Sequence, residues 1–252
     1  MKTPFHLFRS VAAAILILTT IAACDSASVE DEDEPPMITL HPAFAAFDSL
    51  NVSVVLDSSD VIVESNGLPN HTSPYWSPEH PLYVAPTVAE RLTPGFIDNF
   101  TGSVVLTIPA SPMRASLPTA TGLGPIGIAV SGAMIYNDQE GPNDPIDRAI
   151  GSLDYTGAHR GPGLYHYHLE PKAWSDDDEE LIGIMADGFF LYGRREPDGT
   201  YPDDLDASNG HFGPTLHNPD GEYHYHIPNE PYLNQYYILF PGDYQGTPNA
   251  IR

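Results

Sequence analysis

Seven of the eleven histidines in this 252-residue chain fall in a pattern suited to holding a metal ion: His71, His159, His166, His168, His211, His224 and His226. Four of them occupy two identical tetrapeptides, Tyr165-His166-Tyr167-His168 and Tyr223-His224-Tyr225-His226. Side chains on an extended strand alternate between its faces, so each tetrapeptide offers two imidazoles on one side and two phenol rings on the other. Paired imidazoles in a dry core are hard to satisfy unless something bridges them. Imidazole is the commonest protein ligand for zinc and copper, and two such ligands on one strand plus a third from a loop make a facial set. His159 with His166 and His168 is one such set, and His211 with His224 and His226 is the other. Spacing alone leaves open two three-histidine sites, a dinuclear centre, or one site with spare imidazoles. Ligation needs neutral rings, so binding is expected to weaken as pH falls below about 6.5.

With one cysteine and five methionines in the chain, soft sulfur donors are scarce, which points to copper(II) or zinc as the cofactor. His71 lies in the turn-forming stretch Ser65-Asn66-Gly67-Leu68-Pro69-Asn70-His71 and has the weakest signal of the seven. His41, His80 and His217 lack repeat partners and read as surface residues. Asp187, in Ala186-Asp187-Gly188-Phe189, is the candidate catalytic or assisting carboxylate: a partner fixing a histidine tautomer, a ligand, or a base for metal-bound water. The four tyrosines of the tetrapeptides read as packing residues. No G-x-S-x-G, P-loop, H-E-x-x-H or cysteine nucleophile occurs, so the familiar hydrolase and kinase mechanisms have no support.

The elements that position these residues are themselves repeated. Ile126-Gly127-Ile128, Gly132 and Tyr136 recur as Ile182-Gly183-Ile184, Gly188 and Tyr192, the pattern I-G-I-x-x-x-G-x-x-x-Y. Leu153-Asp154, His159, Gly161 and Pro162 recur as Leu205-Asp206, His211, Gly213 and Pro214. The first histidines of the copies lie 52 positions apart and the tetrapeptides 58, so a longer turn around 217–221 must absorb the difference. Residues 126–171 and 182–228 thus read as two copies of one β-rich unit. Each is too short for a core of its own, so the copies should pack together within a single domain, 37–252, related by an approximate two-fold.

Short, alternating, β-branched segments bounded by glycine and proline predict an all-β fold, sandwich or barrel-like, with short strands and long ordered loops. The expected strands are 52–56, 61–65, 103–108, 126–130, 133–136, 165–169, 182–186, 189–192, 223–227 and 236–240. A short helix within 88–100 would be interrupted by Pro94 and Gly95.

Together these segments resemble the bacterial YHYH-domain proteins. The resemblance runs through Ser65-Asn66-Gly67-Leu68-Pro69-Asn70-His71, Ile126-Gly127-Ile128, both tetrapeptides, the run from Ile182 through Asp187-Gly188-Phe189 to Gly193, and Asn209-Gly210-His211. It spans roughly residues 50–240. The chain departs from the family pattern at Phe190, where proline often follows Asp-Gly-Phe, and at Ser131, near which asparagine is frequent. Membership implies a secreted or lipid-anchored protein and brings no activity with it.

The chain's beginning agrees with that implication. Lys2 and Arg9 precede a short apolar run, and Ile21-Ala22-Ala23-Cys24 resembles a lipobox, so residues 1–24 read as a lipoprotein signal peptide with Cys24 as the lipidated residue. Residues 25–36, rich in aspartate and glutamate, read as a disordered acidic tether. The expected location is therefore extracytoplasmic, anchored to a membrane through Cys24. A formal charge of −24 repels nucleic acid, which is excluded as a partner. Asp176-Asp177-Asp178-Glu179-Glu180 lacks the spacing of a calcium loop and reads as a solvated turn.

Three functions compete: an anchored protein binding copper or zinc through its histidines, a metal-dependent enzyme using the same centre, and a surface- or carbohydrate-binding module with structural histidines. A binding protein should close its metal with four or more ligands, whereas an enzyme keeps a position for water.

Overall fold

Alternating apolar segments separated by glycine-, proline- and asparagine-rich turns build fifteen strands and four 3-10 turns in the computed structural model, which describes residues 38–87, 90–161 and 163–252. The signal segment, Cys24, the acidic tether and Pro162 lie outside the described residues. In chain order the strands are β1 (Val52–Asp57), β2 (Asp60–Ser65), β3 (Val104–Pro109), β4 (Arg114–Thr119), β5 (Gly127–Ala129), β6 (Met134–Ile135), β7 (Gln139–Gly141), β8 (Asp144–Pro145), β9 (Ala158–Arg160), β10 (Tyr165–Tyr167), β11 (Leu181–Met185), β12 (Phe190–Tyr192), β13 (Gly210–Gly213), β14 (Glu222–His226) and β15 (Tyr244–Gly246).

β1, β2 and β3 form an antiparallel sheet. Along β2 the residues Val61, Val63 and Ser65 are buried while their neighbours are not, the alternation of a strand with one face on the core. The principal sheet has eight strands in the order β13-β14-β12-β11-β5-β6-β10-β9. Outward from the central β11–β5 pair, one half runs β11, β12, β14, β13 and the other β5, β6, β10, β9. Each half therefore has the same strand order, with antiparallel β11 and β5 meeting as Gly183–Ala129, Ile184–Ile128 and Met185–Gly127. The two I-G-I segments thus sit against each other across a local two-fold axis.

Glycine is required at two kinds of position in this repeat. Gly132 and Gly188 take positive φ (106° and 91°) in the turns that lead to β6 and β12. Gly183 has no room for a side chain: a Cβ there would fall 2.8 Å from Ala129 Cα and still closer to the Ile128 carbonyl oxygen. Close approach of the two halves depends on it.

The fold is all-β and sandwich-like, and none of the sheets closes into a barrel. Residues Met37–Arg252 form one compact unit. Tyr236–Phe240 is not a strand: it makes only the isolated bridges Leu169–Ile238 and Tyr232–Tyr236, because Leu169 offers it a single pairing position beyond β10. Between 88 and 100 the described residues contain one 3-10 turn, Ile97–Asn99.

Candidate metal centres

The repeated Leu-Asp motif organises the loop before each histidine strand. Asp154 accepts the Thr156 N–H at 2.9 Å through Oδ1 and the Tyr165 hydroxyl at 2.6 Å through Oδ2. Asp206 likewise accepts the Ser208 and Gly210 N–H groups at 2.9 and 3.1 Å, and the Tyr223 hydroxyl at 2.7 Å. One carboxylate thereby shapes the loop entering β9 or β13 and pins the first tyrosine of the tetrapeptide. The second tyrosine is held differently in the two halves. Tyr225 donates to Asp187 Oδ2 at 2.6 Å and accepts the Gln245 N–H at 2.7 Å. Tyr167 is 2.9 Å from Ser131 Oγ and 2.6 Å from His71 Nε2.

His71 and Asp187 therefore stand on the tyrosine face, away from the histidine groups. The Thr72 carbonyl, 2.9 Å from His71 Nδ1, can only accept, so Nδ1 carries the proton and Nε2 accepts from Tyr167. His71 is thus a partner of a tyrosine, and so is Asp187. Burial raises the Asp187 carboxyl pKa, against the lowering effect of its bonds to Tyr225 and the Gly246 and Phe189 N–H groups. Serine with histidine in one half does the work of aspartate in the other.

Strand alternation sends the imidazoles to the opposite face. His159 pairs with His166 across β9–β10, and His211 with His224 across β13–β14. The register carries this face across the whole sheet: His166 is opposite Met134, Met134 opposite Ile128, Ile128 opposite Ile184 and Ile184 opposite Phe190. Tyr192, two residues past Phe190, is opposite His226. Both histidine groups consequently lie on one face, toward the two ends of the sheet.

Four side chains converge in each group: Glu140, His159, His166 and His168 in the first, Glu196, His211, His224 and His226 in the second, with one donor atom from each residue within 4.8 Å of the others. In the first, His159 Nε2 is 3.0 Å from His166 Nε2, and Glu140 Oε2 is 3.4 and 3.6 Å from His159 and His168 Nε2. In the second, His224 Nε2 is 3.2 Å from His211 Nε2 and 2.9 Å from His226 Nε2, and Glu196 Oε1 is 3.0 and 3.9 Å from His211 and His226. A regular tetrahedron with bonds of about 2.05 Å has edges of about 3.3 Å, within the span of these separations. No site residue is shared between the groups.

The outer nitrogens show why the inner ones have no hydrogen to offer. His168 Nδ1 is 2.6 Å from the Asn137 carbonyl, and His226 Nδ1 is 2.7 Å from that of Gly193. His166 and His224 Nδ1 reach the Leu164 and Glu222 carbonyls at 3.2 and 3.0 Å. His211 Nδ1 donates to Asp204 Oδ1 at 2.6 Å, and His159 Nδ1 to Ser152 Oγ at 2.8 Å, whose own hydrogen goes to the Ala149 carbonyl. Every Nδ1 is thus placed to donate outward, so in the Nδ1–H tautomer that this selects, three Nε2 lone pairs meet in each group. His168 Nε2 is buried with no hydrogen-bond partner. Such a cluster is unfavourable by itself and is what a divalent cation requires.

Burial disfavours the charged form of four of these rings. Burial first, then the neighbouring His168 and His159, drives the His166 pKa far below the ordinary range. Burial likewise brings His168 and His224 down to about 4, and burial together with His224 brings His226 to about 3. The Asn137, Glu222 and Gly193 carbonyls oppose the shift in these three rings.

Two site residues escaped the sequence reading, Glu140 and Glu196. Each follows the repeat tyrosine, Tyr136 or Tyr192, by four positions, so extending the I-G-I-x-x-x-G-x-x-x-Y pattern by x-x-x-E would have found both. Among 34 acidic residues a glutamate ordinarily reads as solvated surface. Glu140 lies in the β7–β8 hairpin and Glu196 in the turn after β12. The longer β13–β14 connection absorbs the spacing difference through a turn in which Thr215 Oγ accepts the His217 and Asn218 N–H groups.

No curated protein and no solved structure matches this chain. Residues 105–201 match the family model described as YHYH protein, a span holding all four residues of the first group and only Glu196 of the second. Over residues 105–201 the chain is similar to the YHYH protein family, which agrees with the resemblance its motifs carry.

Proposed function

We propose that this chain binds two divalent transition-metal ions, one per half of the sheet, each through three histidines and a glutamate, and that it does so outside the cytoplasm while anchored by a lipid on Cys24. One observation carries the metal reading: six imidazoles turn their Nδ1 atoms to outer acceptors and six Nε2 atoms inward in two groups of three, each beside a carboxylate. Nitrogen and carboxylate oxygen at tetrahedral separations suit zinc best, with copper(II) next. Four protein ligands close such a site, which favours binding over catalysis. Beside His224 and His226 the space among Tyr192, Pro214 and Leu216 is too narrow for a water molecule.

Titration of the metal-free protein with zinc and copper tests this reading. Two equivalents are expected for the wild type, one each for His166→Ala and His224→Ala, and two for His80→Ala, whose ring stacks on Trp76 at 3.9 Å outside both groups. Identical stoichiometry in all four proteins would make the histidines structural. The anchor is tested separately: Cys24→Ala should release the protein from the membrane fraction, and its retention there would refute lipidation at that residue.

A further inference from the structure

Building on the metal reading above, we infer that the two centres are unequal: the second, at His211, His224, His226 and Glu196, loads first and retains its ion, whereas the first exchanges metal with its surroundings. The ligand types are the same, so the difference must come from what stands behind them. His211 is backed by a carboxylate, Asp204 Oδ1 at 2.6 Å, where His159 is backed by a hydroxyl, Ser152 Oγ at 2.8 Å. Asp204 and Ser152 occupy the same place in the repeat, seven residues before their histidines. A hydrogen bond to a charged acceptor is the stronger kind, and a carboxylate behind a ligating imidazole fixes its orientation and makes its other nitrogen a better donor.

Charge balance points the same way. A divalent ion in the second centre is neutralised by Glu196 and Asp204 together, whereas in the first only Glu140 opposes it, leaving one positive charge. Access differs too: the Glu140 side chain is 33% exposed and that of Glu196 14%. Glu140 also stands farther from its nearest imidazole, 3.4 Å against 3.0 Å. Water and small anionic chelators therefore reach the first centre through its glutamate. Asp204 is itself 67% exposed, which places its effect at about tenfold, the lower end of the 10–100-fold range for groups behind metal ligands.

The test is competition titration of the full chain with zinc against a chromophoric chelator at pH 7.5. The wild type should bind in two steps at least tenfold apart; His224→Ala should remove the tight step and His166→Ala the weak one. Asp204→Asn, which keeps the shape and loses the charge, should bring the steps within about threefold, and Ser152→Asp should tighten the weak one. Copper(II) EPR at one equivalent should show a single hyperfine pattern in the wild type and a mixture in Asp204→Asn, while metal-free thermal stability stays the same. Equal steps in the wild type or loss of the tight step in His166→Ala would each overturn the inequality, and a gap that survives Asp204→Asn would overturn its assignment to Asp204, all while leaving metal binding intact. Failure to bind zinc at all would overturn the metal reading and this inference with it.

Discussion

Lowering the pH from 7 to 5 should destabilise the metal-free protein severely and the zinc-loaded protein little. The folded state holds His168 and His224 at about 4 and His226 at about 3, while the unfolded chain returns each to the ordinary histidine value of about 6.5. As pH falls below 6.5 the unfolded state gains protons that the folded state refuses, so stability drops by about 1.4 kcal/mol per pH unit for each ring. The drop ends only where the folded rings themselves protonate, near 4 and 3. At pH 5 each ring has cost about 2 kcal/mol, and the three together about 6 as a ceiling, against a typical total of 5–15 kcal/mol. Asp187 and Glu196, whose pKa values burial raises, act with the opposite sign and offset part of this. Zinc at about a thousandfold above its Kd returns roughly 4 kcal/mol per site, and a ligated ring is closed to protons. Urea unfolding followed by tryptophan and tyrosine fluorescence at pH 7, 6 and 5, with zinc or with chelator, measures both arms. A midpoint that stays flat from pH 7 to 5 without metal, or falls equally with and without zinc, would refute the claim that these rings are buried neutral and metal-ready.

The depressed values of His168, His224 and His226 place zinc release at lower pH than the ordinary histidine range predicts, measured by equilibrium dialysis, and release centred near 6.5 would contradict the burial. Gly183→Ala drives a methyl group into Ile128 and Ala129 at the junction of the two halves and should cost about 3 kcal/mol by chemical denaturation, whereas Gly151→Ala, with nothing within 4 Å, should change little. Tyr225→Phe removes one donor from the Asp187 carboxyl and strands the Gln245 N–H and should cost about 1–3 kcal/mol while leaving zinc affinity within threefold, because the hydroxyl is on the face away from the histidine groups; a large loss of affinity would refute that separation.

Local chemistry determined much of this protein before any tertiary contact is considered. Alternation within Tyr-His-Tyr-His assigns imidazoles and phenols to opposite faces, and two copies of I-G-I-x-x-x-G-x-x-x-Y and L-D-x-x-x-x-H-x-G-P contain two equivalent halves, because backbone period and turn chemistry depend on near neighbours. Six of the seven chosen histidines converge for that reason. Tertiary structure alone decided which strands pair, and with them which distant side chains meet. It joined the halves through β11 and β5, carried both histidine groups onto one face, and left Tyr236–Phe240 with only isolated bridges. It brought Glu140 and Glu196 to the two histidine groups from segments outside the tetrapeptides, and it sent His71 and Asp187 to the tyrosine face. Those outcomes depend on pairing between segments far apart in the chain, and a single sequence records a residue's type and spacing but not the strand that will lie beside it.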